Sequence, residues 1–163
     1  MPRFLSIWLD FTDQVSKDHT ERQNKVEMDK INSLVNTMVS KLPLYYFYTA
    51  FSQLASRICH PNKDTWTVLQ TIIIKLIYHH PQQSLWWLVS NFKSSNNNRV
   101  KRCNEIFADK RLMGEWMQKL IREFYSLADN LLELNAKNVN ATIVKVHTQS
   151  KAYLVEIFNN ILL

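Results

Sequence analysis

One glycine, Gly114, occurs in this chain of 163 residues. Tight hairpin turns and backbone loops that cradle phosphate both lean on glycine, because only glycine takes positive φ at no steric cost. Its near absence directs the chain toward helices joined by short polar turns. It also removes the means for a phosphate-binding loop. Hydrophobic residues make up 46% of the chain, enough to give one domain a sizeable core.

Helical periodicity supplies the elements. Phe4, Ile7, Trp8, Phe11 and Val15 form one stripe, and the polar run Ser16 to Lys25 follows as a turn or a solvated continuation. Ile31, Leu34, Val35, Met38, Val39 and Leu42 form a second stripe. Pro43 ends that helix near Lys41, since proline lacks the amide that continues a helix. A third helix carries Leu44, Phe47, Tyr48, Phe51, Leu54, Ala55 and Ile58 and stops at His60-Pro61. The fourth, capped by Asn62 or Asp64, runs through Trp66, Leu69, Ile72, Ile73, Leu76 and Ile77. Its wide apolar surface predicts a central position. Pro81 opens a fifth helix with Leu85, Trp86, Val89 and Phe92, a sixth covers Val100 to Ala108, and a seventh runs from Arg111 to Leu134. Its stripe is Leu112, Glu115, Trp116, Lys119, Leu120, Phe124, Leu127, Leu131 and Leu134. Asn135 to Ser150 reads as a polar loop, and Tyr153, Leu154, Ile157, Phe158 and Ile161 as a last helix.

Helices with turns this short make a bundle or an α-solenoid. No exact repeat period is visible. Apolar helices stand at both ends without a polar capping helix, as in a segment of a longer solenoid. The expectation is an all-α fold, an α-solenoid of antiparallel TPR- or HEAT-like repeats.

The net charge is +6, and the basic residues are dispersed apart from Arg99, Lys101 and Arg102 and the pair Lys110 and Arg111. That dispersal reads as a solvated helix face rather than a direct nucleic-acid site. Cys59 and Cys103 fall in predicted helices and read as reduced thiols of a soluble intracellular protein. No stretch reads as a secretory signal, and the most apolar run, Val68 to Tyr78, is far short of a membrane span. The sequon Asn140-Ala141-Thr142 is read as chance in that setting.

Chemistry is thinly signalled. Cys59-His60 and His79-His80 are adjacent pairs, which on a helix point about 100° apart and chelate poorly. The histidines read instead as cations beside helix C-termini. Neither cysteine has a signalled orienting group or oxyanion hole. Asp10 and Asp13 read as a solvated surface. The chain holds no HRD, DFG or GxxxxGK motif. Gln53 and Arg57, one turn apart among Phe51, Leu54 and Ile58, are set into an apolar helix. A buried guanidinium must find acceptors, and the free carbonyls of a neighbouring helix C-terminus are the expected ones. Trp86 and Trp87 point to different faces, so one of them meets a second neighbour or a partner.

At YTAFSQLASRICH, Tyr48 to His60, the sequence resembles the FAT domain of the ATR branch of the phosphatidylinositol 3-kinase-related protein kinases. His80-Pro81-Gln82-Gln83 is similar to a Tyr-Pro-Gln-Gln element of that branch. Trp86, the Lys93-Ser94-Ser95 turn and Arg99-Val100-Lys101-Arg102-Cys103-Asn104-Glu105-Ile106 continue the likeness, and Trp8-Leu9-Asp10 resembles the helix before it. The resemblance covers about Trp8 to Ile106. It makes the chain, residues 1–163, the C-terminal part of a FAT domain, ending just before a kinase domain that Glu156 to Leu163 leads into.

The resemblance implies a helical scaffold that wraps the kinase domain of the same polypeptide, in a nuclear kinase of the DNA-damage and replication-stress checkpoint with an ATRIP-type partner. Catalysis, with its ATP and Mg, the FATC segment and the upstream HEAT repeats would lie outside this chain, which would carry no cofactor of its own. Gln53, Arg57, Pro81, Gln82, Trp86 and Arg102 become candidate inter-helix residues. Thr148-Gln149 becomes a candidate phosphosite in the polar loop, whereas Ser52-Gln53 is expected to be enclosed. A free-standing helical-repeat adaptor, or a basic helical module on nucleic acid, is the alternative.

Overall fold

The computed structural model describes residues 1–17 and 22–136. Eight α-helices and one 3-10 turn follow one another among the described residues, without a strand. They are α1 (Pro2–Lys17), α2 (Arg22–Lys41), α3 (Tyr45–Tyr48), α4 (Phe51–Ser56), α5 (Lys63–His79), α6 (Pro81–Phe92), α7 (Asn97–Phe107), the 3-10 turn (Lys110–Leu112) and α8 (Glu115–Ala136). The expected last helix, the sequon and Thr148 lie outside the described residues. The chain divides into two units, Met1–Met113 and Gly114–Leu163.

Local chemistry sets most boundaries. The Asn62 side chain accepts from the Thr65 amide at 2.8 Å and caps α5. Pro81 takes the first turn of α6, where its missing amide costs nothing. Asn96 accepts from the Asn98 amide at 2.9 Å and starts α7. Asp109 does the same for the 3-10 turn through the Arg111 amide at 3.0 Å.

Two expected helices are broken. The single third helix is α3 and α4, separated at Thr49-Ala50, where Ala50 has φ −107° and ψ 10°. No glycine or proline stands there. The three-residue bonds Ala50 N–H to Phe47 O and Gln53 N–H to Ala50 O tighten the chain. That tightening buries Phe47, Ala50, Phe51, Leu54, Ala55 and Ile58 together. Cys59 consequently sits in the turn after α4 rather than in a helix, and is exposed. The expected seventh helix begins only at Glu115, after the 3-10 turn, with the Gly114 carbonyl accepting from Gln118 N–H at 2.9 Å. Glycine disfavours a helix interior and here stands at its entrance, with no positive φ. A Cβ on Gly114 meets nothing within 4 Å.

Three stripes are rotated from expectation. The buried face of α1 is Leu5, Trp8, Leu9, Thr12 and Val15, while Ile7 is 60% exposed. That of α2 is Met28, Asn32, Val35 and Val39, while Leu34 is 53% exposed. In the second unit, α8 buries Met117, Leu120, Ile121, Phe124, Leu127 and Ala128 and leaves Trp116 exposed.

Within Met1–Met113 the helices form two layers. The first helices α1, α4 and α6 pack in series, and so do the second helices α2, α5 and α7. The direction follows from paired contacts. Ser6 meets Gln53 and Asp10 meets Arg57, both 47 positions apart, so α1 and α4 run parallel. Asn32 meets Thr65 and Val39 meets Lys75, offset by 33 and 36, so α2 and α5 run parallel. Gln70 meets Glu105 with an offset of 35, and Trp66 meets Arg102 in the same sense, for α5 and α7. Asn91 reaches Ala55 across α4 and α6 with an offset of 36. Like helices of successive hairpins lying parallel is the signature of stacked repeats. The offset is 33 to 36 residues in the α2–α5, α5–α7 and α4–α6 contacts and 47 between α1 and α4, so the repeats are of unequal length and no repeat shows in the sequence. The all-α repeat architecture of the solenoid class is the one expected.

Helix α5 is the central element. It packs on α2, α3, α4, α6, α7 and the 3-10 turn, and Leu69, Ile72, Ile73, Ile74, Leu76 and Ile77 are all buried. The β-branched run at 72–74 is fully helical. Each such side chain contributes roughly 1.5–3 kcal/mol by burial, which outweighs the small propensity cost of β-branching.

A Gly114→Ala variant is expected to keep the fold and change stability by less than about 1 kcal/mol, because the restriction of the unfolded chain is opposed by the preference for glycine over alanine at a helix N-cap. Urea unfolding measures this, and a change well beyond about 1 kcal/mol in either direction would contradict it.

Candidate functional site: the polar seams between hairpins

Of the side chains singled out by sequence, Gln53, Arg57 and Arg102 lie on seams between successive hairpins. Gln53 on α4 accepts a hydrogen bond from the Ser6 hydroxyl of α1 at 2.9 Å. One turn further on both helices, the Arg57 guanidinium donates to the Asp10 carboxylate. This corrects the expected acceptor. Arg57 is 43% exposed and finds a similarly exposed carboxylate, 51%, not helix-end carbonyls. Asp10 is thereby an inter-helix partner rather than bare surface. Ser52, expected to be enclosed, is exposed.

The carbonyl-seeking role falls to two residues that sequence reasoning passed over. Lys75 Nζ donates to Val39 O at 3.3 Å, in the last turn of α2. Buried Asn91 donates from Nδ2 to Ala55 O at 3.1 Å, in the last turn of α4, and accepts from Arg99 at 3.0 Å. One amide thus joins α4, α6 and α7. A lone uncharged amide one position before Phe92 on an apolar helix was the available signal.

His60 is buried, 3% exposed. Its Nδ1 lies 3.2 Å from the Asn62 backbone N–H, which can only donate, so Nδ1 accepts. The proton therefore sits on Nε2, which faces Leu9 O at 3.3 Å and Thr12 Oγ1 at 3.1 Å. Thr12 in turn donates to Trp8 O at 2.9 Å. The ring is neutral and ties α1 to the start of α5. Burial holds its pKa below the ordinary imidazole value; the Leu9 carbonyl and the Asp13 charge oppose this, and the Arg57 charge adds to it. The expected helix-end cation is overturned here by desolvation. Beside it, Trp8 Nε1–H donates to Asn32 Oδ1 at 2.8 Å, and the Thr65 hydroxyl to the same oxygen at 3.3 Å.

Between α5 and α7, the Arg102 guanidinium lies 4.4 Å from the ring centre of buried Trp66 and pairs with Glu105 at 2.9 Å. Arg102 is thus occupied in a seam. Pro81 starts α6, Gln82 is half-buried beside it, and Trp86 and Trp87 are 53% and 48% exposed. His80 precedes the same helix start without a side-chain cap bond, and its ring centre lies 5.6 Å from that of Tyr48, tilted by 54°.

Chemical groups do not converge. Among the described residues, no three His, Cys, Asp or Glu side chains are grouped to hold a metal. Cys103 is buried, and burial pushes its thiol up to about 12. No helix among them is long and apolar enough to cross a membrane.

Three outcomes follow. Asn91→Ala should cost roughly 1–3 kcal/mol by leaving buried groups unsatisfied, whereas Arg57→Ala should cost no more than about 1 kcal/mol, the range for exposed pairs; urea unfolding compares them. For His60, the unfolded chain takes a proton near pH 6.5 and the folded chain only at lower pH. Stability is then full above about pH 6.5 and falls as pH drops through that window. The melting temperature should fall from pH 7.5 to 5.5, and His60→Gln should shrink the fall. At pH 8 a thiol of pKa about 12 is ionised in on the order of one molecule in ten thousand. Iodoacetamide should therefore label Cys59 in the native chain and Cys103 only after unfolding, read by intact mass.

Comparison with known proteins gives the geometry its context. Residues 30–128 match the family described as serine/threonine-protein kinase ATR-like, HEAT repeats. The serine/threonine-protein kinase ATR of Drosophila melanogaster is 44% identical over 139 residues, 85% of this chain and 5% of that protein. Protein kinase rad3 of Schizosaccharomyces pombe is 34% identical over 65% of the chain and 5% of its own length. The ATR kinase of Arabidopsis thaliana is 32% identical over 82% of the chain and 5% of its own length. No solved structure matches. The chain spans about 5% of the curated relatives it matches. HEAT repeats, which the resemblance had placed upstream of the chain, are here the match itself. With parallel stacking and this similarity together, the chain belongs to the ATR-like HEAT-repeat family of serine/threonine protein kinases.

Proposed function

We propose that this chain is a scaffold segment of an ATR-like checkpoint kinase, in the C-terminal part of its FAT region, that wraps and positions the kinase domain of the same polypeptide. The observation that carries this reading is the stack itself. Its polar side chains are spent on joining hairpins, as in Asn91 to Ala55 and Arg57 to Asp10, and its sequence holds no HRD, DFG or GxxxxGK motif. Such a stack supports and orients chemistry supplied elsewhere. The family match and the relatives' names as protein kinases support the parent activity.

On this reading the chain binds no cofactor, ATP and Mg serve the parent's kinase domain, and an ATRIP-type subunit is the parent's partner. Work in the nuclear DNA-damage and replication-stress response follows from the same family, and Thr148 is a modification site of the parent. Arg102 and Arg99 are engaged by Trp66, Glu105 and Asn91, which favours a scaffold over a DNA-contacting surface.

Epitope tagging within the chain at its own locus, followed by immunoprecipitation, tests this. The tag should travel on a polypeptide about twenty times longer that phosphorylates a Ser-Gln peptide. Recovery of a 19 kDa species without that activity would replace the kinase segment by a free-standing adaptor.

A further inference from the structure

Carboxylates are missing from the middle of the chain. Between Asp29 and Asp64, and again between Asp64 and Glu105, no Asp or Glu occurs. Those two stretches hold the connections from α2 to α4 and from α5 to α6. Successive helices joined by short turns run antiparallel, so both connections lie at the same rim of the stack, with the turns at 57–62 and 93–96 at the other. Two contacts hold this rim together. Lys75 Nζ donates to Val39 O at 3.3 Å, joining the last turns of α5 and α2, and the ring centres of Tyr48 and His80 lie 5.6 Å apart. The rim is aromatic and open. Helix α3 turns Phe47 into the core and leaves Tyr45 and Tyr46 exposed, with ring centres 4.3 Å apart. Helix α5 ends on exposed Tyr78, whose ring lies edge-on to that of exposed His79 at 5.2 Å. Lys41, the last residue of α2, is also exposed. Stacked hairpins meet through helix faces along the axis of the stack, so a rim of connections is not where a further hairpin sits.

We propose that the rim carrying Lys41, Tyr45, Tyr46, Tyr78 and His79 is a docking surface for an acidic peptide segment of a separate protein, one that also bears apolar side chains. Charge selects this occupant. Its carboxylates meet the Lys41 ammonium and the hydroxyl donors of three tyrosines, and no carboxylate of the two connections opposes them. Its apolar side chains meet the rings, which give large contact area for little loss of side-chain freedom. A nucleic-acid strand also stacks on aromatic rings, but it needs a row of cations to follow its phosphates. Here Lys75 is turned to the Val39 carbonyl, and Lys41 is the exposed lysine of the two connections. The inference goes beyond the kinase-segment reading and does not depend on it.

Photo-crosslinking from p-benzoylphenylalanine at position 46, and separately at exposed position 83 in the first turn of α6, tests it in the protein expressed from its own locus. Linked peptides are sequenced by mass spectrometry. The expected result is linkage to a segment of another protein with more Asp and Glu than Lys and Arg. Lys41→Glu or Tyr78→Ala should reduce that linkage about tenfold, whereas Lys41→Arg, which keeps the charge, should retain it. Lys63 is exposed at the opposite end of α5, and Lys63→Glu should leave the linkage unchanged. A fluorescein-labelled synthetic copy of the linked segment should bind the purified full-length protein, and a copy with its carboxylates replaced by amides should bind about tenfold more weakly. Linkage to a neutral or basic segment, to the same polypeptide, to a second copy or to nucleic acid would overturn the proposal. So would no linkage, an equal loss in Lys63→Glu, or equal binding of the two synthetic peptides.

Discussion

The structure depends on what happens to polar atoms where short helices end against one another. A helix leaves its last four carbonyls without partners, and a stack of short helices brings many such ends into contact with apolar neighbours. Here the ends are met from the next hairpin. Lys75 reaches Val39 O, and Asn91 reaches Ala55 O. Away from the ends, the mid-helix Leu9 O faces the proton of a neutral imidazole on His60. Buried polar groups cost about twice as much when unsatisfied as they contribute when paired. These bonds therefore select one register among the many that a greasy helical surface would permit.

Hydrophobic burial supplies the attraction, and it is concentrated in α5. Three consecutive isoleucines, all buried, require neighbours on every side. The two-layer arrangement provides them, since the middle helix of the second layer touches both its layer mates and the first layer. The central position of α5 was legible from its wide apolar surface, as were Asn62 as cap and Pro81 as helix start. Each is a local signal with a local cause. The seams were less legible. The break at Thr49-Ala50 arises from packing and carries no glycine or proline to announce it. The stripes of α1 and α2 were misassigned because each helix has two apolar sides, and periodicity alone cannot say which one a neighbour takes. His60 was read as a helix-end cation because its burial, a tertiary property, reverses the expected charge. Of the candidate residues, Gln53, Arg57 and Arg102 sit in seams with identifiable partners. Asn32 and Asn91 were invisible as single polar letters in apolar helices.

The membership of the chain in an ATR-like HEAT-repeat family agrees with this division of labour. Repeats of this kind devote their chemistry to holding shape. The exposed Asp10–Arg57 pair and the buried Asn91 junction stand at opposite ends of that task. One is a solvent-weakened contact that contributes little, and the other is a dry junction whose removal leaves three elements unsupported.

The short sequence separation between stacked helices also governs how the molecule can be made. Leu9 and His60, joined across a seam, are only 51 positions apart. Each seam can therefore close as soon as one more hairpin has left the ribosome, without waiting for distant sequence. In a polypeptide of kinase length, that locality lets the scaffold be completed one hairpin at a time during synthesis, before the catalytic domain it is proposed to hold has been translated.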